Sequence, residues 1–140
     1  MQQQLLSGFF DHTLDPKGRV TLPSRYRDHF SHGAELVRFP DKDPCISVFH
    51  PDAWDEYDAK HIVPRDASEK KEDEWFVRLT YANKYSVEPD RQGRLLLPPK
   101  LVKDLKLSGK VLILGVRDRL EIWDPDEYEK CKAERRGKDG

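Results

Sequence analysis

Several features that would announce a function are scarce or missing in this sequence. Cysteine is limited to Cys45 and Cys131, far apart and outside any C-x-x-C pair, so no disulfide framework is written into the chain and both thiols are expected to be reduced. No apolar run approaches the roughly 20 residues that span a bilayer. The first residues, Met1-Gln2-Gln3-Gln4, lack the basic and apolar stretches of a secretion signal, so a cytoplasmic protein with no membrane partner is expected. Neither sign of charge is in excess: 25 Lys and Arg stand against 26 Asp and Glu, a net charge of −1. That balance excludes a uniformly basic wrapper of nucleic acid and leaves room for a local basic patch. There is no Gly-rich phosphate loop, and Ser24 and Ser108 lack the surroundings of a nucleophile elbow. His29, His32, His50 and His61 have no carboxylate or cysteine at a ligand spacing, and Cys45 has no placed His or Asn to activate it. No catalytic residue, metal, cofactor or small-molecule substrate is therefore expected.

What the chain does have is a repeat. Asp15-Pro16-Lys17-Gly18-Arg19-Val20-Thr21-Leu22-Pro23 reads like Asp90-Arg91-Gln92-Gly93-Arg94-Leu95-Leu96-Leu97-Pro98, 75 residues later. A second pair follows in the same order: Ile46-Ser47-Val48-Phe49-His50-Pro51-Asp52 parallels Leu120-Glu121-Ile122-Trp123-Asp124-Pro125-Asp126, 74 residues later. Two matches at nearly one offset indicate tandem duplication of a unit of roughly 50 residues, below the size that folds well alone, so the halves are expected to pack together.

Each unit reads alike. Gly8 to Leu14 is rich in β-formers, and Asp15-Pro16-Lys17-Gly18 carries Asp, Pro and Gly at the type I turn positions. Arg19 to Leu22 returns as a strand, Pro23 opens a short helix, and Tyr26 and Phe30 sit four apart to face the core. Glu35 to Phe39 and Cys45 to Phe49 read as strands, and Pro51-Asp52 opens a helix through Trp54 and Tyr57. In the second unit the strands are Lys84 to Glu88, Arg94 to Leu97, Val111 to Gly115 and Arg119 to Trp123. Helices follow Pro98-Pro99, with Leu101 and Leu105 on one face, and run from Asp126 to Ala133. Trp75, Phe76 and Leu79 mark an amphipathic helix joining the units. The expected organisation is a first half at 1–66, a linking helix at 67–82, a second half at 83–133 and a frayed tail at 134–140.

The turns hold the chemistry. Asp15, Gly18, Asp90 and Gly93 are what a tight turn needs, with each Asp able to accept backbone N–H groups or to orient the arginine four residues on. Arg19 and Arg94 occupy the one repeated position that turn geometry does not require, and a guanidinium fork can grip phosphate or guanine. Cations gather nearby: Lys17, Arg25 and Arg27 in the first unit; Arg91, Lys100, Lys103, Lys106 and Lys110 in the second. Of these, Lys17, Arg19, Arg25, Arg91, Arg94 and Lys100 are the candidate DNA-binding residues, while Lys103, Lys106 and Lys110 read as a solvated face. The two turns are expected side by side on one rim.

The two D-x-x-G-R turns, Leu22-Pro23, Leu97-Pro98 and the closing Leu120-Glu121-Ile122-Trp123-Asp124-Pro125 resemble the MraZ family, from about Leu6 to Tyr128. The resemblance implies an α+β pseudo-two-fold β-barrel of AbrB-like type, built from two hairpin and short-helix repeats with extra helices. It implies a transcriptional regulator of the bacterial division and cell-wall gene cluster, binding double-stranded DNA at short direct repeats upstream of its own operon. A ring-like homo-oligomer and association with the nucleoid are implied as well, with D-x-x-x-R as the DNA-contacting signature. The rival readings are an antitoxin-like protein-interaction module of the same fold and a small hydrolase using Cys45 or the histidines.

Overall fold

A computed structural model of the chain describes residues 4–139; residues 1–3 and 140, the ends of the expected first half and tail, lie outside the described residues. The elements run β1 (Leu6–Thr13), β2 (Arg19–Thr21), a 3-10 turn (Ser24–Tyr26), β3 (Ala34–Val37), β4 (Ile46–Phe49), α1 (Pro51–Tyr57), a π-helical turn (Asp58–Ile62), α2 (Val63–Asp66) and α3 (Lys71–Ala82). The second half continues with β5 (Lys84–Val87), β6 (Arg94–Leu96), α4 (Pro99–Asp104), β7 (Lys110–Arg117), β8 (Arg119–Trp123) and α5 (Pro125–Asp139).

Six strands form one antiparallel sheet in the order β1-β7-β8-β4-β3-β5, and β2 pairs with β6 as a separate two-stranded ribbon. Under the repeat, β1 matches β5, β3 matches β7 and β4 matches β8, so the sheet order is palindromic about the β4–β8 pair. That central pair sets Ile46 against Ile122, Ser47 against Glu121 and Val48 against Leu120. The opening strand of each half hydrogen-bonds to the other half: β1 to β7, and β5 to β3. The halves interleave because neither offers enough apolar surface to close a core on its own. The architecture is mixed, with a mostly antiparallel sheet and several helices. Among the described residues its pairing runs from an edge at β1 to an edge at β5 and does not close on itself.

One core lies between sheet and ribbon. Val20, Leu22, Leu95 and Leu97 from the ribbon strands and their continuations meet Leu36, Val48, Ile113 and Leu120 from the sheet, with Phe30 and Leu101 filling the flanks. Tyr26 and Phe30, four apart, both turn inward, and the Tyr26 hydroxyl donates to the Ser7 carbonyl at 2.9 Å. A second cluster, Phe39, Phe49, Trp54, Ile62 and Phe76, packs under α1 to α3. A third sets Cys45, Leu112 and Trp123 against Tyr128 and Cys131 of α5.

Three details differ from the sequence expectation. The helix opened by Pro51 does not end near Tyr57 but passes through a π turn into α2, where the Val63 N–H reaches Asp58 O. Pro64 follows at once and has no N–H to continue an i→i−4 ladder, so the helix widens ahead of it. The linking helix starts at Lys71 rather than 67, because the Ser68 hydroxyl accepts the Lys70 N–H at 3.1 Å and holds that segment in a non-helical turn. The last helix runs past Ala133 to Asp139, with Glu134, Arg135 and Arg136 as good helix formers ahead of Gly137.

Candidate nucleic-acid interface

Each D-x-x-G-R segment folds into the same small device. The Gly18 N–H donates to Asp15 O at 2.9 Å and the Asp15 N–H to Arg19 O at 2.8 Å; the second copy repeats this with Gly93, Asp90 and Arg94 at 3.0 and 2.9 Å. Gly18 and Gly93 take φ of 84° and 74°, the left-handed region where a side chain would be strained. Asp15 Oδ1 accepts the Lys17 and Arg19 N–H groups at 2.9 and 2.8 Å, and its Oδ2 accepts Arg19 Nε at 2.7 Å. Asp90 does the same for Gln92 N, Arg94 N and Arg94 Nε, at 2.9, 2.9 and 2.7 Å. The two alternatives for the aspartate, bracing the turn and orienting the arginine, are realised together.

The backbone N–H of Arg19, helped by its guanidinium and by the Lys17 N–H, holds the Asp15 carboxyl below its ordinary value of 3.8. Asp90 is lowered in the same way by Arg94 and Gln92. Both are therefore carboxylates at neutral pH and fix Nε of their arginines, and neither Nη group of either arginine donates a hydrogen bond to the carboxylate. No other described residue accepts a hydrogen bond from those Nη groups.

The ribbon brings the two devices together. Its register pairs Arg19 with Leu96, Val20 with Leu95 and Thr21 with Arg94. Val20 and Leu95 are fully buried, so strand alternation sends Arg19 and Arg94 to the opposite, outer face. They are diagonal neighbours there, with Cα atoms roughly 7–8 Å apart by strand geometry. The turns themselves are not side by side. Because the strands are antiparallel, the turns lie at opposite ends of the ribbon, stitched by Leu22 N–H to Gly93 O and Leu97 N–H to Gly18 O, both 2.9 Å.

The other candidates scatter in quality. Lys17 and Arg91 are exposed on the turns. Arg25 is exposed and lies over the rings of Phe10 and Tyr26, at 5.7 and 5.9 Å. Lys100 is already engaged, with Nζ 2.9 Å from both Asn83 Oδ1 and Asp104 Oδ2. Arg27 is not among the sequence candidates, yet it lies directly on the second turn: a Cβ at Gly93 would fall 2.8 Å from its Cδ. Nothing local marks Arg27, because it meets that turn across the ribbon, between halves.

The groups of the hydrolase reading are placed for other work. Cys45 is buried against Leu112 and Trp123, and burial pushes its thiol far above the ordinary range, so it is no thiolate nucleophile. His29 stands beside His50, ring centroids 4.9 Å apart, and burial together with that neighbour lowers its pKa. His61 lies on the Tyr57 ring at 4.5 Å. No helix among the described residues is long and apolar enough to cross a membrane.

The sequence model of the family described as "MraZ protein, putative antitoxin-like" matches residues 5–78 and 80–138. A protein of Pseudomonas putida (strain KT2440) named Transcriptional regulator MraZ is 34% identical over 125 residues, covering 86% of this chain and 81% of its own. The protein of the same name from Thermoanaerobacter sp. (strain X514) is 33% identical over 126 residues, covering 89% and 85%. That from Pseudomonas fluorescens (strain SBW25) is 33% identical over 125 residues, covering 86% and 81%.

Proposed function

The chain belongs to the MraZ family, and on that premise we propose that it is a DNA-binding transcription regulator that reads duplex DNA with the outer face of its ribbon. The observation that carries this is the pair of carboxylate-pinned arginines, Arg19 and Arg94, held as diagonal neighbours on one face. A guanidinium fixed through Nε keeps both Nη groups in a fork that matches a guanine edge or a phosphate. Rotamer entropy that a free arginine would lose on binding is already lost in the turn. Lys17, Arg91 and Arg25 supply phosphate contacts around it. Lys100 contributes least, since it would first have to leave Asp104.

The fold supports an AbrB-like barrel in which the ribbon closes the open side of the palindromic sheet over their common core, built from halves at 1–66 and 83–133. A protomer offers few phosphate contacts, so useful affinity requires several protomers on repeated sites, multiplied through effective concentration. Short direct repeats upstream of its own operon, a ring-like homo-oligomer and residence on the nucleoid in the cytoplasm complete the reading, with no catalytic step. Surface for self-assembly comes from Leu5 and Phe9, 65% and 57% exposed; their neighbours Leu6 and Phe10 pack inward instead. Light scattering at micromolar concentration is expected to give a particle larger than a dimer, and a stable monomer rules the assembly out.

The direct test is an electrophoretic shift on the protein's own upstream DNA against scrambled DNA, at two salt concentrations. Selective retardation that disappears in folded Arg19→Ala and Arg94→Ala variants is expected. Equal binding by both variants and the parent would reduce the devices to structural turns.

A further inference from the structure

We infer that the recess beside the first turn, walled by Lys17, Lys103 and Lys106, is a binding site for a phosphodiester of the DNA backbone, and that the second turn has no counterpart. This rests on the ribbon-face reading above and adds residues whose sequence pattern reads as a merely solvated face.

The recess has a volume of about 490 Å³, with Leu97, Val102 and Leu107 beneath and the three lysines at its margin. It adjoins Gly18 and therefore the Asp15–Arg19 device. The repeat offset of 75 gives its counterpart: Val102 corresponds to Arg27, Lys103 to Asp28 and Lys106 to Ser31. Beside the second turn, Arg27 fills the space that Val102 leaves open beside the first, lying against Gly93. The wall there carries an acid and a hydroxyl where the first carries two lysines, and Ser31 Oγ is spent on the Asp28 carbonyl at 2.9 Å. Duplicated turns are thus flanked by unlike charge: three cations and no acid among the residues of one recess, and Arg91, Arg27 and Asp28 around the other.

A second observation is independent of charge. Lys106 has φ of 55°. It stands just past α4 where the chain reverses: its N–H reaches Lys103 O at 3.2 Å, and the Leu107 N–H reaches Val102 O at 3.0 Å. Those two bonds make a Schellman closure, whose left-handed position favours glycine. A long β-carbon-bearing side chain there is a local strain with no packing return, since Lys106 is exposed. Strain held by a surface side chain is best explained by what that side chain binds, and here it edges the basic recess. A phosphate seated there would lie just outside Arg19, so backbone grip and base reading would be coupled on the first half only.

Glycine at this position separates fold from function. Lys106→Gly is expected to melt no lower than the parent, because the closure is relieved. Its binding is expected to weaken several-fold at low salt, equally on operator and scrambled DNA. The slope of log affinity against log salt should become shallower by about 0.9 for each phosphate no longer gripped. Lys103→Ala is expected to follow it, and Ser31→Ala at the counterpart position to bind like the parent. A Lys106→Gly slope equal to the parent's, while Arg19→Ala loses operator binding, overturns the recess and leaves the ribbon-face reading standing. A lower melting temperature for Lys106→Gly assigns the lysine to the fold and also overturns it. A parent protein that does not retard DNA at all sinks both. Inorganic phosphate at matched ionic strength should weaken DNA binding by the parent more than by Lys106→Gly, because it competes for the same recess; equal weakening of both overturns the recess.

Discussion

The two halves share one motif and then cover it differently. After β4 the chain makes a long helical excursion, α1 to α3, that buries an aromatic cluster of Phe39, Phe49, Trp54 and Phe76. After β8, at the matching point, it makes one helix, whose Tyr128 stands where the first half has Trp54. Trp54 is buried and touches Phe39, Phe49, Tyr57 and Tyr81, whereas Tyr128 is half-exposed and meets Phe9 and Trp123. The core that both halves build together stayed symmetric, and divergence went into what each packs outside it. Interleaved strands are constrained by both partners at once, while a satellite cluster answers only to its own segment.

The largest expected difference between the halves is in stability. Trp54→Ala removes the centre of the first satellite and should cost about 3–5 kcal/mol. Tyr128→Ala should cost about 1–2 kcal/mol, as a half-exposed ring does. Urea melts of the two variants check this, and equal losses would break the contrast.

Next come the two arginines, alike in geometry. Arg19→Ala and Arg94→Ala should each weaken operator binding by about 1–3 kcal/mol and relax specificity at a single position. Stability should change far less. Titrations on operator and scrambled DNA, run beside melting curves, separate the two effects; if the recess matters, Arg19→Ala is the more damaging.

Asp15→Ala should lower the melting temperature and weaken binding together, since it frees both the turn and Arg19. Its pH signature has a definite sign. A carboxyl depressed in the folded state stabilises it above the ordinary value of 3.8 and loses that contribution as pH falls through the depressed one. Stability from these turns should therefore be flat between pH 7 and 5 and fall below about pH 4, and an Asp15→Ala, Asp90→Ala double variant should fall less steeply there. Thermal melts across that range decide it. The smallest effect concerns the thiols: Cys45→Ser, Cys131→Ser should bind operator like the parent, which a single titration can refute.

Sequence and structure agree where the information is local. Asp15, Pro16 and Gly18, and Asp90 and Gly93 in the second copy, spell a turn within four residues, and Val20 between Arg19 and Thr21 spells a strand with one buried face. The short helix after Pro98 and the inward pair Tyr26 and Phe30 are legible for the same reason. What escapes depends on residues far apart in the chain. Pairing of each half's first strand with the other half's third cannot be read from either stretch alone. The same holds for Arg27 resting on Gly93 and for the asymmetry of the two recesses, which emerges only once α4 is seen to flank the opposite half's turn. The π turn and the late start of α3 come from single side-chain choices, at Pro64 and Ser68, that outweigh a favourable average propensity.

The palindromic sheet has a consequence for how the protein is made. Strand β1 leaves the ribosome long before its hydrogen-bonding partner β7: Leu6 pairs with Arg117, 111 residues further on. The chain must be made through Arg117 before β1 can satisfy its backbone. Until then its edge stands open to any extended chain nearby. Pairings of such sequence separation slow folding, so a nascent chain stalled before β7 is the form of this protein most exposed to aggregation and to proteolysis.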